Sequence, residues 1–340
     1  MASFRVGIDS YCLTPLRMDP FAVLEWVHAA GGEGVQFSEV HWGDGGDPDP
    51  ERPVDEGLLR ELAAAARERE MYMEWGGGQH VPFDTTTWTP KDLAGLNRKA
   101  AEQASVLGAR VVRSCSGGFF RWHDEAPPTE ELLDAMARAL EPQRAVFEDL
   151  GVTLALELHF EFTTFELARL FAKVGAEPGG WLGVCLDTFN VLPLLEDPVL
   201  ATERVLPWVV ATHVKDGVAS LDADGLLTFP TAVGEGSIDL QGILERLATL
   251  PHLVHLSVED HGGSFRTPFF DTGFRARFPD LGAEDLTRLV ASAQRDAARV
   301  ARGEVRITDR ADWPGLCQKR TQRDLTSLRG LVAALDGQAS

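Results

Sequence analysis

The chain has 340 residues, with 32 Lys plus Arg against 52 Asp plus Glu, a formal charge of −20 with histidine neutral. Such an imbalance argues against a phosphate backbone or an anionic membrane as main partner, because both need a positive footprint. Hydrophobic residues make up 44% and charged residues 25%, which excludes disorder as the default and leaves enough apolar surface for one large α/β barrel or two domains.

Short apolar or β-branched runs occur at residues 4–10, 34–39, 72–75, 110–114, 152–158, 182–186, 209–214 and 254–258. Each ends in polar residues and leads toward a segment with Ala, Leu, Glu and Arg at helical spacing: 21–30, 57–70, 93–107, 130–150, 165–174, 198–206, 240–250 and 284–302. Local punctuation supports these helices. Asp19-Pro20 offers an N-cap with proline at the first helical position, Gly31 stands where a C′ glycine belongs, and Thr163-x-x-Glu166 reads as a capping box. Strands alternating with helices imply a parallel sheet, and eight such units imply closure into a single (β/α)8 TIM barrel. An open doubly wound sheet would usually carry a glycine-rich turn after its first strand, and the turn here, Asp9-Ser10-Tyr11-Cys12-Leu13-Thr14-Pro15, has no glycine.

Two stretches exceed the barrel minimum. Residues 261–283 contain Phe265, Phe269, Phe270, Phe274 and Phe278 with Arg266, Arg275 and Arg277. That segment is expected to close over the site or reach a neighbouring subunit, and the cost of leaving its rings in water predicts a homo-oligomer. Beyond the barrel of 1–302, Leu325, Leu328, Val332 and Leu335 share one helical face, predicting an extra helix in a C-terminal extension, 303–340, packed on the barrel or on a neighbouring subunit. Residues 43–53 read as a long acidic loop. The cysteines Cys12, Cys115, Cys185 and Cys317 form no C-x-x-C pair, and with no signal-like or membrane-spanning stretch the expected compartment is the cytoplasm.

In a βα barrel the reactive groups belong at the C-terminal ends of strands. The fifth run ends Glu157-Leu158-His159 and the sixth leads into Asp187-Thr188-Phe189-Asn190. The seventh gives His213-Val214-Lys215-Asp216 and the eighth Glu259-Asp260-His261. Alternation along a strand sends Glu157 with His159, His213 with Lys215, and Glu259 with His261 to one side. A single acid ending an apolar strand is usually a cap or a solvated loop residue, but four consecutive strands ending this way share that explanation poorly. Two glutamates, an aspartate and a histidine suit Mn²⁺ first, with Mg²⁺, Co²⁺ or Zn²⁺ as alternatives. Such an ion polarises a carbonyl and its neighbouring hydroxyl, acidifying the C–H between them, and flanking carboxylates then move protons through an enediolate. His28, His41, His80, His123, His252 and His255 read as surface or core histidines. Glu39 on the second strand, Trp75 on the third and Arg113 on the fourth should face the same mouth.

These motifs, with Gly234-Glu-Gly236-Ser-Ile-Asp between the last two, resemble the xylose isomerase-like TIM barrel superfamily, the sugar phosphate isomerase/epimerase group, over roughly residues 4–300. The resemblance implies that Glu157, Asp187, His213 and Glu259 hold one divalent cation. It also implies that Glu157 and Glu259 act as the acid/base pair of an isomerase or epimerase acting on a keto-sugar or related polyol derivative. His159, Asn190, Lys215, Asp216, His261, Glu39, Trp75 and Arg113 are then candidates to bind substrate. Asn190 stands where ketose epimerases usually have histidine, and Lys215-Asp216 where they have an arginine. Relatives that dehydrate, decarboxylate or cleave glycosides with the same enolate make a lyase the alternative. Endonuclease IV shares the barrel, but it uses three zinc ions, many histidines and a basic groove, so a DNA-binding role is disfavoured by the charge of −20 and the ligand set. A barrel that binds without catalysing is a third reading.

Overall fold

The computed structural model describes residues 4–38, 40–41, 54–123 and 126–338. Eight parallel strands close into a barrel in the order β1-β10-β7-β6-β5-β4-β3-β2. They are β1 (Arg5–Asp9), β2 (Gly34–Phe37), β3 (Tyr72–Gly78), β4 (Val111–Ser114), β5 (Thr153–Glu157), β6 (Leu182–Asp187), β7 (Val209–Val214) and β10 (His255–Val258). The eight expected strands and their closure are therefore present. Asp19 caps Pro20–Ala29 through the N–H of Ala22, Gly31 adopts φ +80°, and the reciprocal Thr163–Glu166 capping box is formed. The single helix expected over 130–150 is two, Thr129–Leu140 and Arg144–Leu150, joined by a 3₁₀ turn containing Pro142. Proline has no N–H to continue the ladder and crowds the preceding turn.

A three-stranded sheet outside the barrel went unforeseen. β8 (Asp216–Asp222) and β9 (Gly225–Thr231) form a hairpin directly after β7, and β11 (Phe265–Thr267) adds antiparallel to β9. The Asp224-Gly225 step and the apolar runs on either side were its sequence signal. This sheet changes the reading of both C-terminal segments. Phe269, Phe274 and Phe278 are buried with Phe189, Leu192, Leu195 and Leu226 in a satellite core, so the chain covers three of the rings whose exposure had predicted an oligomer. The helix Ala283–Ala301, expected as the eighth barrel helix, puts Leu289 and Ala293 into that satellite core. The tail helix Trp313–Gln338 instead joins the main core through Leu325, Leu328 and Val332, with Trp313 Nε1 donating to Cys12 O at 3.0 Å. The C-terminal extension is thus helical and packs on the barrel.

Inside the barrel, Tyr72 lies across the lumen, its hydroxyl 3.0 Å from Ser257 Oγ and its ring stacked on His255. A Cβ on Gly7 would come 2.5 Å from that hydroxyl, and one on Gly34 would come 2.1 Å from the ring, so both positions need glycine. On β4 to β7, Val111, Ala155, Cys185 and Ala211 form a small apolar layer in the lumen. By strand alternation it lies one step below Arg113, Glu157, Asp187 and His213.

Candidate metal centre

Asp187 on β6 stands in register with His213 on β7, beside Glu157 ending β5 and Glu259 just past β10. His213 Nδ1 lies 3.1 Å from Glu157 Oε1, 3.8 Å from Asp187 Oδ2 and 3.9 Å from Glu259 Oε2. Atoms bound about 2.1 Å from one ion stand roughly 3.0 Å apart at right angles and about 4.2 Å apart when opposite. All three spacings fall in that interval, and Glu157, Asp187 and His213 each bring a ligand atom within 4.8 Å of the other two. The residues present therefore fit a divalent cation. Glu157 and Glu259 line a cavity of about 580 Å³ at the mouth, whereas Asp187 and His213 are fully buried and are not among its lining residues.

The other face of His213 is held by two residues to which the sequence alone assigns no role, Asp9 and Gln36. Its Nε2 is 3.1 Å from Asp9 Oδ2 and 2.5 Å from Gln36 Oε1. The Gln36 amide is oriented by Glu74, whose Oε2 accepts from its Nε2 at 2.6 Å. The second oxygen of Glu74 meets His255 Nδ1 at 2.8 Å. Gln36 thus presents its carbonyl oxygen to His213, so Nε2 carries hydrogen and Nδ1 is the nitrogen available to an ion. Burial alone would lower the pKa of His213, but Glu157 and Asp9 push it up to about 10, so without an ion Nδ1 also carries a proton, which a bound cation would displace.

Two cations balance the carboxylates. Arg113 Nη2 is 2.6 Å from Glu157 Oε2, and Lys215 Nζ is 2.8 Å from Asp187 Oδ2 and pairs with Glu259 Oε2. Burial would raise Glu157, yet Arg113 and His213 hold it well below the usual carboxylate range. Against the same burial, Lys215 chiefly, then His261 and His213, hold Glu259 at about 2. Asp187 is raised by burial.

Of the residues expected to bind substrate, Trp75, Arg113, His159, Asn190, Lys215 and His261 line the cavity. His159 Nδ1 pairs with Glu161 Oε2 at 3.0 Å, and Asn190 Nδ2 donates to Asp187 Oδ2 at 2.8 Å. His261 Nε2 lies 3.6 Å from Glu259 Oε1, with burial lowering its pKa to about 4. Trp75 is almost wholly covered and donates from Nε1 to Gln103 Oε1. Asp216 is a correction. It is absent from the described cavity wall, and its carboxylate accepts the backbone N–H groups of Gly217, Gly234, Gly236 and Ile238 at 2.8 to 3.3 Å, fastening that loop to the β8 hairpin. Glu39 lies outside the described residues.

The sequence pattern of the family described as xylose isomerase-like TIM barrel matches residues 24–277. The chain belongs to that family. Over 120 residues it is 24% identical to the uncharacterised protein YihM of Escherichia coli K12, a stretch covering 35% of this chain and 36% of YihM. The match thus spans little more than a third of that relative's length. Among solved structures, D-psicose 3-epimerase from Clostridium cellulolyticum H10, determined with D-tagatose, superposes with a TM-score of 0.58 at 15% identity, covering 87% of this chain and 99% of that one. The 3-keto-D-glucoside 4-epimerase YcjR from E. coli gives a TM-score of 0.54 at 13% identity, covering 85% and 99%. At such identities the likeness establishes the shared fold.

Within this xylose isomerase-like barrel, Cys115, His159 and Glu161 also bring ligand atoms within 4.8 Å of one another. Burial pushes the Cys115 thiol up, which opposes the thiolate that a metal requires. The arginines of residues 261–283 are engaged locally. Arg266 forks onto Asp222, Arg277 donates to the carbonyls of Arg121 and His123, and Arg275 lies over the ring of Phe269. No helix among the described residues is long and apolar enough to cross a membrane.

Proposed function

We propose that this chain is a divalent-metal-dependent enzyme that isomerises or epimerises a keto-sugar or related polyol derivative through an enediolate. The observation that carries the reading is the convergence of Glu157, Asp187 and His213 at mutual spacings that suit one ion, with the cavity-facing Glu259 3.9 Å from the same imidazole nitrogen. The oxygen-rich set with a single imidazole favours Mn²⁺ over Mg²⁺, Co²⁺ or Zn²⁺. The metal supplies polarisation of the substrate's carbonyl and adjacent hydroxyl. Glu157 and Glu259 are the base and acid: one carboxylate, ionised, takes the proton from the carbon beside the carbonyl, and the other, first protonated from solvent, gives that proton to the opposite face or to the neighbouring carbon. Lys215, Arg113 and His159, which line the cavity, are the groups that would hold substrate oxygens, and the Arg113–Glu157 and Lys215–Glu259 pairs favour the ionised form of the carboxylate that acts as base. The similarity to the structures of D-psicose 3-epimerase and 3-keto-D-glucoside 4-epimerase supports the choice of substrate class.

Incubating the Mn²⁺-loaded protein with keto-sugars in D₂O should replace one carbon-bound hydrogen with deuterium, and a chelator should stop the exchange. Absence of exchange across keto-sugars, keto-acids and inososes would sink the reading. Release of water, CO₂ or an aglycone alongside exchange would make the reaction a lyase reaction.

A further inference from the structure

The cavity has two chemically different ends. Its floor carries Glu157, Glu259 and Lys215, while its wall carries Phe119, Phe160 and Phe265 from three separate loops or loop strands. The three rings lie nearly parallel. Phe119 is 5.1 Å from Phe160 and 5.2 Å from Phe265 between centroids, and Phe160 is 5.2 Å from Phe265, with interplanar angles of 26°, 13° and 18°. Trp122 braces them edge-on against Phe265 at 4.8 Å. Phe119 nevertheless keeps 41% of its surface exposed.

The three rings have no polar atoms, so a sugar hydroxyl pressed against them would give up its water without gaining a partner. One aromatic ring is enough to stack on the apolar face of one sugar, and three make a surface larger than that. The cavity volume of about 580 Å³ lies within the roughly 300–1,000 Å³ of pockets that bury drug-sized ligands, and a free hexose would leave much of it unfilled. Each phenylalanine follows a charged residue of the centre by a few positions: Phe119 after Arg113, Phe160 after Glu157, Phe265 after Glu259. The wall therefore begins where the charged floor ends.

We propose that the sugar bound at this centre carries an aromatic substituent seated on Phe119, Phe160 and Phe265, so that the substrate is an aryl glycoside of a keto-sugar and not a free ketose. The inference rests on the keto-sugar reading of the metal centre. In a glycoside the anomeric carbon is an acetal and holds no carbonyl, so the keto group that enolises sits on another ring carbon. In a 3-keto pyranoside that carbon is two bonds round the ring from the carbon bearing the aglycone, so the keto group and the aglycone point away in different directions, one toward the charged floor and the other toward the aromatic wall.

Isothermal titration of the Mn²⁺-loaded protein with phenyl and methyl 3-keto-β-D-glucosides tests this. The phenyl compound should bind at least about tenfold more tightly, the scale expected for burying an aromatic ring against others. Phe119→Ala, at a partly exposed position, should bring the ratio to within about twofold. Equal binding of the two compounds, or a ratio unaltered by Phe119→Ala, overturns the proposal. So does a shift from oligomer to monomer in sedimentation of that variant, which would make the wall a contact between copies. Deuterium exchange that proceeds equally on free ketoses and on both glycosides would leave the keto-sugar reading standing and remove the aryl substituent. Selective phenyl binding with no exchange on any keto-sugar would do the reverse.

Discussion

The two halves of the barrel contribute to the candidate centre in different ways. The strands of the second half, β5, β6, β7 and β10, end in or lead directly to the four candidate ligands, Glu157, Asp187, His213 and Glu259. The strands of the first half contribute groups that act through those ligands: Asp9 and Gln36 on His213, Glu74 on Gln36, and Arg113 on Glu157. One half holds donor atoms toward a common point, while the other fixes which donor atom each side chain can offer. A ligand set is therefore incomplete as a description of the site, because an imidazole turned or protonated the wrong way is no ligand.

Substitutions in the ligand half should have the largest effects. Glu259→Gln keeps size and removes the charge that moves the proton, so deuterium exchange should fall by about 10²- to 10⁴-fold. Asp187→Asn should abolish tight Mn²⁺ binding, read by titration calorimetry on the metal-free protein. If either variant behaves like the parent, the second half-barrel has been assigned the wrong work.

Substitutions in the holding half should cost less and cost it differently. Glu74→Gln lets the neighbouring Gln36 amide reverse and present its NH₂ to His213, setting donor against donor. Metal affinity should drop by about 10- to 100-fold, as is usual for groups that orient a ligand, with the fold retained. Nitrogen NMR of the Mg²⁺-loaded protein gives the readout that a merely structural role would not move. The parent should show His213 protonated at Nε2, and the variant should lose that signature. Unchanged affinity together with an unchanged His213 signal would show that the first half does not set the tautomer.

The same division decided what could be read from the sequence. Glu157, Asp187, His213 and Glu259 were legible because strand ends recur with the βα period and each residue carries its own chemistry. Asp9 and Gln36 act only through a histidine 204 and 177 residues away, a distance that no local pattern encodes. Gln36 interrupts an apolar run and Asp9 ends a strand, so both were visible, but without their partner neither had a role. Asp216 was misplaced for the converse reason. Its spacing from His213 suggested the mouth, whereas the chain leaves the barrel there to form the β8 hairpin. The two C-terminal helices are both amphipathic, and only the three-dimensional packing decides that Trp313–Gln338 covers the barrel while Ala283–Ala301 covers the hairpin.

The smallest expected effect on chemistry sharpens the contrast. His80 follows β3 in the holding half, is 1% exposed, and places Nδ1 2.8 Å from Ser114 Oγ. Burial lowers its pKa to about 4, so in the folded chain it stays neutral where the unfolded chain, near 6.5, already takes up a proton. A depressed histidine contributes stability that is complete above about pH 6.5 and is lost as pH falls toward 4. The difference between those two values corresponds to roughly 3 kcal/mol. His80→Gln should leave metal affinity within about twofold of the parent, since His80 supports a loop and touches no ligand. Urea unfolding at pH 7.5 and at pH 4.5 should show the variant gaining on the parent by most of that amount as the pH falls, whatever constant offset the lost packing introduces. A gap between variant and parent that does not change with pH would mean that His80 is not held neutral, and a large loss of metal affinity would move it from the holding half to the centre itself.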